Sequence, residues 1–133
     1  MPSGRSSRSK GARGERLWRD VLRAAGFDPA TTYRGRQFSG MSPDGVSPDV
    51  VCRELPTLHW EVKNVERLNL RDAYAQAVRD AGEGKTPIVA HKKNNANFLV
   101  TLSAEDFLEI VRRSDLIEGG SDASGNTRCD NDK

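Results

Sequence analysis

Asp49, Glu61 and Lys63 interrupt a stretch, VSPDVVCRELPTLHWEVKNVE (residues 46–66), that otherwise reads as two half-buried strands and a turn. Charged groups among strand-forming residues cost stability unless they face water or have partners. Side chains alternate along a strand, so Glu61 and Lys63 share one face while Trp60 and Val62 share the other. Trp60 and Val62 suit a core. A hairpin register pairing odd positions with odd brings Asp49 to the face of Glu61 and Lys63; a slip of one residue separates them. Two carboxylates that close repel, which raises at least one pKa unless a cation intervenes. A hard divalent ion such as Mg²⁺, with Mn²⁺ as a substitute, suits such a site and completes its shell with waters and substrate phosphate. The backbone carbonyl of Val62 is a further candidate ligand. Such an ion lowers the pKa of its water and polarises a phosphoryl oxygen. Lys63 is placed to orient or help deprotonate an attacking water and to offset transition-state charge. A solvent-facing salt-bridge cluster is the bland alternative, and the spacing alone leaves both open.

The elements that must position these residues follow from periodicity and turn chemistry. MPSGRSSRSKGARG has no apolar period and reads as a mobile basic arm. From Ala12 to Ala25 the stripe Leu17, Trp18, Val21, Leu22, Ala25 predicts a helix, stopped at Gly26. A Gly/Ser/Pro-rich loop with a short strand near Tyr33 leads to strands at 49–53 and 58–65. Leu70, Ala73, Tyr74, Ala77, Val78 and Ala81 then predict a helix with Asn69 as N-cap and Gly82 or Gly84 as the stop. TPIVAHKK and NFLVTL supply two more strands, and Ser103 caps a last helix through Phe107, Leu108, Ile110 and Val111. The helix at 70–81 joins two strands as a crossover, so those strands are expected to be parallel and the connection right-handed. The fold class is α/β, a mixed central sheet flanked by helices, with a basic arm at 1–11, a folded domain at 12–117 and a disordered polar tail at 118–133.

Composition restricts the partners. The chain of 133 residues suits one domain, with 35% apolar and 30% charged residues. No run approaches the ~20 apolar residues of a membrane span, and no secretory signal opens the chain, so a cytoplasmic location is expected. Cys52 and Cys129 form neither a disulfide framework nor a zinc site. Residues 1–36 hold nine Lys/Arg against three Asp/Glu, a net of +6, and residues 103–133 hold four against eight, a net of −4. The basic front suggests a polyanionic partner.

Pro48-Asp49 followed by Glu61-Val62-Lys63 on a strand hairpin, with a helix after it, resembles the PD-(D/E)XK nuclease superfamily. The chain is most similar to Holliday junction resolvases of the archaeal type and their phage relatives, over roughly residues 11–112. The resemblance implies a restriction-endonuclease-like core. It assigns Asp49 and Glu61 as metal ligands, Lys63 as the catalytic lysine, and Glu15, early in the first helix, as a further catalytic acid or ligand. A first-turn Glu favoured by the helix dipole is the plain alternative for Glu15. Arg36 and Ser39 in RGRQFSGMSPDG match phosphate-contacting positions, and Gln76 matches a glutamine that supports the site or the substrate. His91 and Lys92, after PIVA, are within reach of phosphate in this fold.

The function implied is Mg²⁺-dependent hydrolysis of phosphodiesters in branched DNA, a four-way junction cut symmetrically by a homodimer. Arg5, Arg8, Lys10 and Arg13 would hold the DNA through phosphates, with salt-sensitive affinity. Two rivals stand beside this: a restriction-like, repair or nicking endonuclease on ordinary duplex, and a non-catalytic nucleic-acid-binding module.

Overall fold

A computed structural model describes residues 4–35 and 48–118 of the chain, with side chains from residue 9 onward. It divides into two units, Met1–Thr101 and Leu102–Lys133. In the first, helix α1 (Gly4–Ala24) leads through a 3-10 turn at Pro29–Thr31 to strands β1 (Thr32–Arg34), β2 (Val50–Cys52) and β3 (Leu58–Asn64). Helix α2 (Leu70–Ala81) then crosses to β4 (Thr86–Lys92), and β5 (Leu99–Thr101) closes the unit. The second unit holds helix α3 (Ala104–Arg112), whose first turn is capped by Ser103 Oγ accepting from the Asp106 amide at 3.0 Å.

The five strands form one sheet in chain order. β1–β2, β2–β3 and β4–β5 are antiparallel, while β3 and β4 are parallel from Leu58↔Thr86 to Asn64↔Lys92. The mixed α/β sheet expected from the crossover helix is present. α2 starts and stops where its residue types dictate: Asn69 Oδ1 accepts from the Asp72 amide at 3.1 Å, and Gly82 ends it at a positive φ of 71°.

The helix pattern explains which face of β3 each helix covers. Trp18 of α1 stacks tilted against Trp60 with centroids 5.1 Å apart, and Gly14 lies against Asn64, so α1 covers the face carrying Trp60, Val62 and Asn64. α2 packs on β3 and β4 with small residues, Ala73 and Ala77, pressed on Val89. Its Gln76 reaches Lys63, so α2 covers the other face. Of the expected α1 stripe, Trp18 and Leu22 are buried, whereas Val21 is 43% exposed. α2 likewise buries its alanines and leaves Val78 at the surface.

One expectation changes. α1 begins at Gly4, not near Ala12, so Lys10 and Arg13 ride on a helix that runs through the segment read as a basic arm. Arg and Lys are good helix formers, and the helix is docked along this part: Asn64 Nδ2 donates to the Lys10 carbonyl at 3.4 Å. Residues 119–133 of the expected polar tail lie outside the described residues.

Gly14 is the tightest point of that docking. A Cβ there would lie 2.7 Å from Asn64 Cβ, an atom fixed to the sheet backbone. Gly14→Ala gains about 1 kcal/mol of helix propensity but forces α1 off β3, which costs about 1–3 kcal/mol. The expected result is a net loss of stability, read as a lowered melting temperature. A raised one would show that the helix can shift freely.

Candidate active site

Asp49 sits one residue before β2, held from three sides. Its amide donates to the Trp60 carbonyl at 3.0 Å, its carbonyl accepts from the Gly35 amide at 2.9 Å, and its Oδ2 accepts from the Val62 amide at 2.9 Å. The register Val50↔Trp60 pairs even positions with even, the arrangement that brings Asp49 alongside Glu61. Because its carboxylate is bound to the amide that follows Glu61, the two acids share one corner of the sheet.

Glu61 is only 5% exposed. A solvent-facing salt-bridge cluster therefore does not describe it: α2 roofs the face on which it lies. Burial pushes its pKa up first, and the Asp49 carboxylate adds to this, while Lys63 works the other way; the result is a value of about 7. Asp80 on α2 adds a smaller push in the same direction.

Lys63 is half-buried, and its Nζ lies 3.7 Å from Glu61 Oε2 and donates to Gln76 Oε1 at 3.2 Å. The amide contact is the shorter. Gln76 thus holds the ammonium between the helix and the acids without neutralising it. A structural ion pair would be optimised by one acid facing one base at close range. Here a second acid is set beside a buried first one, which costs stability.

His91 stands opposite Lys63 in the parallel register, and its Nε2 shares a hydrogen bond with Thr101 Oγ1 at 2.9 Å. Burial lowers its pKa, so it is neutral near pH 7. Lys92 is opposite Asn64, on the α1 side of the sheet, with its Nζ on the Lys93 carbonyl at 3.0 Å. The structure therefore brings together Asp49, Glu61, Lys63 and Gln76, with His91 beside them and Lys92 turned away.

Comparisons with family models, with curated proteins and with solved structures return no match. The corner rests on its own geometry.

Glu15 has a different neighbour. It is largely buried, and its Oε1 accepts from Arg34 Nε at 3.0 Å and Nη2 at 2.9 Å. Arg34 pairs with Val50 in the register, which sets it on the α1 side. Among the described residues no three His, Cys, Asp or Glu side chains converge as one ligand set, and Glu15 is bound to Arg34 on the α1 side of the sheet. Arg34 went unnoticed in the sequence because nothing local links it to a glutamate 19 positions earlier; only the short strand β1 brings them together.

Lys10 and Arg13 lie on the part of α1 that passes the end of β3 at Asn64. Arg36 and Ser39 lie outside the described residues, as do the side chains of Arg5 and Arg8. The Val62 amide, which the sequence did not single out, donates to Asp49 Oδ2 and orients it. Among the described residues no helix is long and apolar enough to cross a membrane.

Proposed function

We propose that the protein is a metal-dependent DNA endonuclease of the PD-(D/E)XK type that cuts branched DNA, as Holliday junction resolvases do. The observation that carries this reading is the buried Glu61 beside Asp49 with Lys63 held next to them by Gln76. Two adjacent carboxylates beside an ammonium that is hydrogen-bonded to an amide fit a hard divalent cation. The raised proton affinity of Glu61 is what such a pair shows when a proton takes the cation's place.

Asp49 and Glu61 would hold the Mg²⁺, and Mn²⁺ would serve in its place. When bound, the ion supplies Lewis-acid polarisation of the phosphoryl oxygen and a more acidic water. The residues of the chain do the rest. Asp49 is oriented by the Val62 amide, which donates to its Oδ2. Lys63 is positioned by Gln76 to donate to the attacking water or to a phosphate oxygen as charge builds there. Water then attacks phosphorus as the P–O bond to the leaving nucleotide breaks. The attacking water gives up a proton to solvent and the leaving oxygen takes one up, while α2 shields the buried Glu61 from bulk water. Glu15 would act on this site through Arg34, which it holds at the start of the sheet.

Junction preference and a homodimer belong to the same proposal, since paired cuts in two strands need two sites. The test is cleavage of a labelled four-way junction against the matched linear duplex, in Mg²⁺. The expected result is paired nicks near the crossover and little cutting of duplex. Equal cutting of both substrates would replace the resolvase reading by that of a duplex nuclease.

A further inference from the structure

The chain leaving β3 and the outer turns of α2 enclose a groove of about 540 Å³ that begins at Lys63 and Gln76. Its size is within the ~300–1,000 Å³ typical of small-ligand sites. Asp72, Gln76 and Arg79 occur at helical spacing on one face of α2, and Arg67 faces them from the connection between β3 and α2. Val65, Leu68 and Ala73 give the groove an apolar floor.

The charges decide what it takes. Lys63, Arg67 and Arg79 stand against Asp72 alone, an excess of cations in a groove that opens from the site. Both arginines are exposed, and among the described residues neither has an ion-pair partner, unlike Arg34, Arg19, Arg112 and Arg113. Asp72 lies in the first turn of α2, where the helix dipole favours an acid. Arg67 and Arg79 together outweigh Asp72, so a phosphate in the groove is attracted to the two arginines. An arginine fork matches a phosphate by two parallel donors, and the apolar floor suits the sugar and base face between successive phosphates.

We propose that this groove seats the nucleotide that flanks the scissile phosphate, with Arg67 and Arg79 gripping the phosphates of that strand. The inference rests on reading Lys63 as facing the phosphate to be cut. It gives the strand a direction: away from the Asp49–Glu61 corner, past Gln76, along α2.

The test is fluorescence anisotropy of the full chain on a labelled four-way junction, in EDTA so that nothing is cut, across a salt series. Arg67→Ala/Arg79→Ala is expected to bind at least about tenfold more weakly. Its plot of log affinity against log salt should be shallower by about 1.5–2, near one phosphate per arginine. Arg112→Ala/Arg113→Ala, which removes two exposed arginines of α3, should bind within about twofold of wild type. Arg67→Lys/Arg79→Lys should recover most of the salt slope, because a point charge still attracts phosphate. Wild-type affinity and slope in the double alanine variant, with its melting temperature unchanged, would overturn the groove.

Cleavage by wild type, measured alongside, separates the two readings. If the arginines matter for binding but wild type never cuts, the groove stands as a strand-binding surface and hydrolysis falls. If wild type cuts and the double variant binds as wild type does, the groove alone falls.

Discussion

Asp49→Asn is expected to abolish cleavage, by at least about 10²–10³-fold, the loss seen when one electrostatic group at a reacting centre is removed. The fold should survive. An asparagine carbonyl can still accept from the Val62 amide, and the backbone bonds of residue 49 to Trp60 and Gly35 do not involve the side chain. What changes is charge. Without the Asp49 carboxylate, Glu61 loses one of the two main causes that raise its pKa, so its titration should move toward the ordinary carboxylate range. Monitoring the Glu61 carboxyl by NMR in both proteins checks this without reference to activity. A variant with intact melting behaviour, a lowered Glu61 pKa and no cleavage fits the assignment. Undiminished cleavage by Asp49→Asn contradicts it.

Glu61→Gln is expected to move stability and activity in opposite directions. In the folded protein Glu61 keeps its proton until about pH 7, whereas an unfolded glutamate loses it near 4.5. Between those values the folded state binds more protons than the unfolded state, so stability falls as pH rises and levels off above about 7. A shift of this size corresponds to about 3 kcal/mol or a little more at alkaline pH, taking ~1.4 kcal/mol per unit. The uncharged glutamine carries no such penalty. Glu61→Gln should therefore melt higher than wild type at pH 8, match it near pH 4.5, and fail to cut at either. Because a proton and a cation compete for the same carboxylate, wild type should also need less Mg²⁺ at pH 8 than at pH 6. Urea unfolding at the two pH values measures the first effect, and a Mg²⁺ titration of cleavage measures the second. Equal stability of both proteins across the range would show that Glu61 is not held in a buried, acid-crowded corner.

That opposition between stability and activity was legible in the sequence as a question, not as an answer. The alternation of β3 separates Trp60 and Val62 from Glu61 and Lys63, and a period of two is enough to read it. The caps of α2 and α3 are likewise local: Asn69 and Ser103 each bind an amide three positions on. Register is not local. Whether Asp49 meets Glu61 depends on Val50 pairing with Trp60, which residue types permit but do not dictate. The burial of Glu61 depends on α2 crossing over its face, so a cluster that could equally have faced water emerges roofed.

Two misses share one cause. Arg34 meets Glu15, and Arg67 and Arg79 come to line one groove, only because separate segments are folded together. The early start of α1 has the same cause. Arg, Ser and Gly in the first dozen residues suggest disorder when counted by composition, but a contact as specific as Asn64 on the Lys10 carbonyl lies outside what composition can express.

The central claim is that the Asp49–Glu61–Lys63 corner hydrolyses DNA with a divalent cation. Its most direct test is the cleavage of a labelled four-way junction by the wild-type chain, in Mg²⁺ and in EDTA, with Asp49→Asn and Glu61→Gln run beside it. Nicks that appear in Mg²⁺, vanish in EDTA and are missing from both variants are the predicted result. Cleavage that persists in EDTA, or in either variant, would contradict the account, as would a folded wild-type protein that cuts no DNA in Mg²⁺ or Mn²⁺.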